Sequence, residues 1–149
     1  MSRKPAGQFG ASDMKVMVDT NVIISAVLFP GSIPAQAFEK VLKDHRLVLC
    51  SQIIEELLAI FEKKFSNKLA GLKLFIANLS YEMVDTPTNI ARDDYPDIRD
   101  EADLPILAAA INANVNVFIS GDKDFLSIQD GENRSALTIL SPKEFVEKF

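Results

Sequence analysis

Four acidic positions in this chain stand where a reactive site needs them. Asp19 ends the apolar run of "VMVDTN", and Asp122 follows "VNVFIS" within "ISGDKDF". Asp103 opens the apolar stretch of "DEADLPILAAA", and Glu55 and Glu56 lie near the start of "SQIIEELLAIFEKKF". Carboxylates brought together repel, and in a partly dry site one protonates unless a cation is present. Oxygen-only donors select hard ions, here Mg2+ or Mn2+. Zinc prefers His or Cys, and the chain has one of each, His45 and Cys50, with no ligand spacing. An all-carboxylate site of this kind suits phosphoester chemistry, because such a metal polarises a phosphoryl oxygen and acidifies water.

Each acid also has an ordinary structural reading. Asp103 before "LP" is a good helix N-cap. Asp19 can end a strand in a turn, and "GDKD" around Asp122 is turn chemistry. Glu55 and Glu56 taken alone read as helix surface. These readings weaken jointly once the elements are placed.

"KVMVDT" is a short β-branched strand, and "LFPGSIP" is a turn. "AQAFEKVLKD" spaces Ala37, Phe38, Val41 and Leu42 as a helix face. "LVLC" is a second buried strand, and Ser51 can cap the helix that follows. Residues 67–79 form a further helix, and "EMVDTP" a third strand stopped by Pro87. "LPILAAAINAN" is a helix with Pro105 in its first turn. "VNVFIS" and "LTIL" are the fourth and fifth strands, and "SPKE" is a capping box opening a last helix. Short apolar strands alternating with helices predict a parallel sheet covered on both faces, with ligands beyond the carboxyl ends of the strands. Asp19 and Asp122 end strands, and the helices bearing Glu56 and Asp103 begin at the same edge. Four acids therefore converge on one rim, where chance would scatter them over both.

The helix after "LVLC" separates its two glutamates. Its apolar centre is Leu57 and Phe61. Glu55 shares a stripe with Ala59 and Glu62, which reads as solvated. Glu56 shares a flank with Ile53 and Ile60, which reads as half-buried, so Glu56 is the site glutamate.

The chain has 149 residues, enough for one domain with a core of its own. Residues 1–13 read as an extension, and 14–149 as a single domain. No apolar run reaches the roughly 20 residues of a membrane span, and no secretory leader is expected. The lone Cys50 sits in an apolar run and reads as a buried hydrophobe in a reducing cytoplasm. Net charge is −5, at first sight unfavourable for nucleic acid. Residues 92–103 hold six acids and two bases, net −4, so the remaining fifteen acids and fourteen bases sum to −1. The acidity is local, as in a solvated loop or a metal site.

"VDTNVIISAVL", "SQIIEEL", "DEADLPILAAA" and "ISGDKDF", in that order, resemble the PIN-domain nucleases over most of residues 15–145. Among these the chain is most similar to the prokaryotic toxin-like branch that includes the VapC toxins. The resemblance implies an α/β/α sandwich with a central, mostly parallel sheet of four to five strands. It implies a Mg2+- or Mn2+-dependent endoribonuclease acting on single-stranded RNA. Asp19, Glu56, Asp103 and Asp122 match the family's four acids, and Asp124 an accessory metal ligand. Thr20, Asn21 and Ser120 occupy the supporting polar positions. Ser120 stands where threonine is common, and "DEAD" adds acids that leave open whether Asp100 replaces or assists Asp103. A small antitoxin partner and a homodimer are further implications. Catalysis would use water attacking phosphorus in line, with a 5′-phosphate left on the product.

Holding RNA against an acidic rim needs cations. Lys63, Lys64 and Lys68 in "EKKFSNK", and Lys123 beside Asp122, are candidates, although the first three also read as a solvated helix end. The other class of function is a catalytically idle PIN-like module that binds RNA or protein. A receiver-type phosphoacceptor would want adjacent acids after the first strand, and an aspartyl-phosphate phosphatase Asp-x-Asp, where this chain has Asn21.

Overall fold

A computed structural model describes residues 13–128 and 136–149. Five strands form one parallel sheet in the order β3-β2-β1-β4-β5. They are β1 (Lys15–Val18), β2 (Arg46–Cys50), β3 (Glu82–Val84), β4 (Val117–Ile119) and β5 (Thr138–Leu140). β1, β2 and β4 occupy the middle and are almost wholly buried, as their unbroken apolar runs require. β3 and β5 are the short edges and keep exposed positions.

The helices are α1 (Thr20–Leu28), α2 (Ile33–Asp44), α3 (Ser51–Lys64), α4 (Leu69–Asn78), α5 (Leu104–Asn112), α6 (Lys123–Leu126) and α7 (Pro142–Lys148). Together with the sheet they make the α/β/α architecture expected of the sequence. Two were not read from it. α1 fills the stretch between the first strand and the turn, where mean apolarity is so high that no polar stripe marks the period. α6 is only four residues long. Gly31 supplies the positive φ of 89° that turns α1 into α2, and Asn114 takes a φ of 57° just past α5.

One cap differs from expectation. Ser51 is the first residue of α3 and not its cap, which is Cys50 without a side-chain bond. The Ser51 hydroxyl instead donates to Thr86 Oγ1 at 3.0 Å and accepts from Thr86 N at 3.1 Å, tying α3 to the chain beyond β3. The capping box at Ser141 and Glu144 is present as read. Cys50 is fully buried. Residues 1–12 of the expected extension lie outside the described residues. Asp13, grouped with them, forms an ion pair with Arg46 at 3.5 Å. Among the described residues no single helix is long and apolar enough to cross a membrane.

The strand order places the site. From β1 the chain steps through β2 to β3 on one side, then returns to β4 on the other side of β1. The β1–β4 boundary is therefore the switch point, the place beyond the carboxyl ends where sheets of this kind bind ligands. Asp19 and Ser120 are the residues directly after these two strands.

Candidate active site

Asp19 leaves β1 with its N–H bonded to Ile119 O at 2.9 Å, so the sheet pairing itself carries it to the β4 side. It caps α1, with Oδ1 accepting from Thr20 N at 2.8 Å. Oδ2 accepts from Ser120 Oγ at 2.9 Å, and Ser120 Oγ accepts in turn from Asp122 N at 2.9 Å. The fully buried Ser120 hydroxyl thus links the ends of β1 and β4. Asp122 caps α6 by accepting from Asp124 N at 2.8 Å. The turn and cap readings of Asp19 and Asp122 hold for one oxygen each, while both carboxylates also belong to one charged group.

Glu56 comes from α3. Its Oε1 accepts from Thr20 Oγ1 at 2.7 Å, and its Oε2 from Gln52 Nε2 at 3.0 Å. Glu55 is exposed with Ala59 and Glu62, and Glu56 is half-buried with Ile60. Gln52 was not singled out from the sequence. Its amide donates both to Glu56 and to Ala102 O at 3.0 Å, so it joins α3 to the acidic loop. Its only signal is its place one turn before Glu56.

Asp103 departs from its ordinary reading. It stands at the start of α5 but makes no capping bond there, and Asp100 instead caps the preceding 3-10 turn, Glu101–Asp103, through Ala102 N at 3.0 Å. Asp103 Oδ2 is shielded from solvent and has no hydrogen-bond partner. A buried carboxylate oxygen without a donor is costly, and a cation is the partner that would relieve it. Ligand atoms of Asp100, Asp103 and Asp124 lie within 4.8 Å of one another.

The electrostatics follow from this crowding. Burial chiefly raises Asp103 to about 7, with further repulsion from Asp100, Asp122, Asp19 and Asp124. Burial also raises Asp19 from 3.8 to about 6, opposed by its bonds from Ser120 and Thr20, and Glu56 and Asp122 repel it. A hard divalent cation fits a group of oxygen donors this close and this poorly compensated.

Asn21 is exposed and makes no side-chain hydrogen bond among the described residues. Lys123 is exposed beside Asp122 and Asp124. Lys63, Lys64 and Lys68 are not brought to the acids. α3 runs away from the carboxyl edge, and Lys64 lies eight residues, about 12 Å of helix, beyond Glu56.

The chain is similar to known proteins in sequence and in fold. An uncharacterized protein of Methanocaldococcus jannaschii is 29% identical over 147 residues, covering 91% of this chain and 92% of that protein. Among solved structures, VapBC2 from Rickettsia felis, bound to a DNA fragment from their promoter, superposes with a TM-score of 0.62. That match has 18% identity and covers 86% of this chain and 98% of that one. DNA-bound VapBC from Salmonella typhimurium gives a TM-score of 0.61 at 22% identity, covering 87% and 98%. A family model described as PIN domain matches residues 15–124, from the first residue of β1 to the last acid of the cluster, and the chain belongs to the PIN domain family.

Proposed function

We propose that this protein is a Mg2+- or Mn2+-dependent endoribonuclease that hydrolyses single-stranded RNA, and that it is the toxin of a toxin–antitoxin pair. The observation that carries the reading is Asp103 Oδ2, buried and without a donor amid the carboxylates of Asp19, Asp100, Asp122 and Asp124. Asp19, Glu56, Asp103 and Asp122 would hold the cation together with Asp100 and Asp124, whose ligand atoms lie within 4.8 Å of that of Asp103. Bound there, a divalent cation supplies Lewis acidity that activates water and offsets charge on the phosphoryl and leaving oxygens.

The chain's own groups do the rest. Ser120 and Thr20 N fix both oxygens of Asp19, and Thr20 Oγ1 and Gln52 fix both of Glu56, so the donors are oriented before substrate arrives. A carboxylate of the group takes the proton of the attacking water. The oxygen adds to phosphorus in line, the bond to the 3′-oxygen breaks, and that oxygen takes up a proton. The products carry a 5′-phosphate and a 3′-hydroxyl.

We infer an antitoxin partner as well, which the likeness to two VapBC complexes supports, and propose a homodimer and a cytoplasmic setting. The test is cleavage of a labelled single-stranded RNA by purified protein in Mg2+, Mn2+ or EDTA, beside Asp122→Asn. Cleavage that needs metal and is lost in the variant is expected. Metal-independent cleavage, or none at millimolar Mn2+, refutes the reading and leaves a binding module.

A further inference from the structure

The loop bearing Asp100 and Asp103 contains two arginines that are engaged in different ways. Arg92 is consumed within the loop. Its Nη2 donates to Ile98 O at 3.2 Å and lies 4.0 Å from Asp97, and its Nη1 lies 3.2 Å from Glu101. Arg99 turns outward to the acid cluster. Its Nε lies 3.2 Å from Asp124 Oδ1, yet its side chain is 89% exposed while that of Asp124 is 16% exposed. Among the described residues it makes no hydrogen bond and no other ion pair. A pair this exposed adds little to stability, so folding does not explain the arrangement.

Its chemistry does. A guanidinium offers five N–H donors in a planar fork. The ion pair with Asp124 lies on the Nε side and leaves the two Nη groups, which match the spacing of phosphate oxygens. The anchor also restricts where that fork can swing. Otherwise the rim carries carboxylates that repel a polyanion, with Lys123 exposed beside Asp122 and Asp124, while Lys63 and Lys64 lie at the far end of α3 and Lys68 in the 3-10 turn beyond it. Arg99 is the cation that pairs with the acid cluster among the described residues.

We propose that Arg99 seats a phosphodiester of the RNA: Asp124 holds Nε, and the Nη pair binds a phosphate beside the one cleaved. The proposal rests on the nuclease reading above. It assigns Asp124 a second duty, as the post that aims this arginine.

The experiment compares wild type, Arg99→Ala and Arg99→Lys on a fluorescein-labelled single-stranded RNA. Cleavage is followed in Mn2+ and binding by anisotropy in Ca2+, each across a salt series. Arg99→Ala should raise KM by roughly 10- to 100-fold with kcat within a few-fold of wild type, the pattern of a lost binding contact. The slope of log affinity against log salt should fall by about one. Arg99→Lys should keep most of that slope but still bind several-fold more weakly, because it loses the anchored fork. Melting temperature in EDTA should not change, and Mn2+ affinity should stay equal or rise, because a cation beside Asp124 is removed. Unchanged KM and salt slope in Arg99→Ala would overturn the proposal. So would a loss of Mn2+ affinity, which would make Arg99 a support of the metal group only. If wild type fails to cleave, the nuclease reading falls separately. The anisotropy series then decides: weaker binding by Arg99→Ala keeps the phosphate seat, and equal binding removes it.

Discussion

Replacing Asp19 by asparagine should make the metal-free protein more stable at neutral pH. Asp19 is 6% exposed, and burial raises its carboxyl from 3.8 to about 6. At pH 7 the fold therefore carries a destabilisation of roughly 3 kcal/mol from ionising this group. Asparagine removes the charge and keeps the shape. Its Oδ1 still accepts from Thr20 N, but its Nδ2 now faces Ser120 Oγ, which already accepts from Asp122 N. The serine hydroxyl can accept both, at the loss of its own acceptor, a cost of about 1 kcal/mol. The net gain is about 1–2 kcal/mol, or roughly 2–8 °C in melting temperature for a chain of this size. The sign with pH is fixed by linkage. A carboxyl whose folded pKa is raised binds its proton more tightly when folded, so its stabilising contribution is complete below pH 3.8 and is lost as pH rises through about 6. The advantage of the asparagine should thus shrink below pH 5. Thermal melts in EDTA at pH 7.5 and pH 4.5 measure both. A lower melting temperature for Asp19→Asn at pH 7.5 would show that its two hydrogen bonds outweigh its buried charge, and the crowding argument would fail.

Four further outcomes follow from the same geometry. Glu56→Gln should lose most Mn2+-dependent ribonuclease activity, some 100-fold or more, while Glu55→Gln stays within about twofold, since only Glu56 touches Thr20 and Gln52. Equal losses in the two turnover assays would count against the pocket. Gln52→Ala frees Glu56 and the acidic loop together and should weaken Mn2+ affinity by roughly 10- to 100-fold in a calorimetric titration. Metal affinity should rise between pH 6 and pH 8 with release of protons, because Asp103 titrates near 7 before the cation binds. Saturating Mn2+, at about 100 times its Kd, should stabilise wild type at pH 7.5 by about 2.7 kcal/mol and stabilise Asp19→Asn far less.

How much of this could be read from the sequence depended on which signal carried it. The buried strands were legible because parallel strands covered on both faces are written as runs such as "VMV" and "LVLC". The rotation of α3 was legible because its polar and apolar stripes differ, and Glu55 and Glu56 fall on opposite flanks as read. α1 was not, since "TNVIISAVL" is apolar on nearly every side and its helix is set by burial and by the Asp19 cap. The identity of the α3 cap was misread because Ser51 is a good cap by type. Its hydroxyl is claimed by Thr86, a partner 35 residues away that local pattern cannot reveal. Gln52 and Arg99 were passed over for a related reason. Their roles lie in what their side chains reach across the fold, and nothing in their neighbours' types records it.

The cluster also explains why these acids tolerate one another at all. Asp19, Asp100 and Asp122 each accept a backbone N–H at the start of a helix or turn. At Asp19 the bond from Thr20 N favours the ionised form and partly offsets burial and the repulsion of Glu56 and Asp122. Asp103 has no such bond and Asp103 is the acid whose proton is held most tightly, near neutrality. The fold therefore gives Asp19, Asp100 and Asp122 a backbone donor and Asp103 none, and even at Asp19 the donors only partly offset burial. A cation entering the cluster would meet its largest unmet demand at Asp103, and binding there would release a proton. Charge neutralisation is then coupled to metal entry at one residue, so the metal-free protein can fold without every carboxylate being ionised. A substitution that gave Asp103 its own donor would remove that coupling. The fold would become more stable, and the affinity for the cation would fall with it.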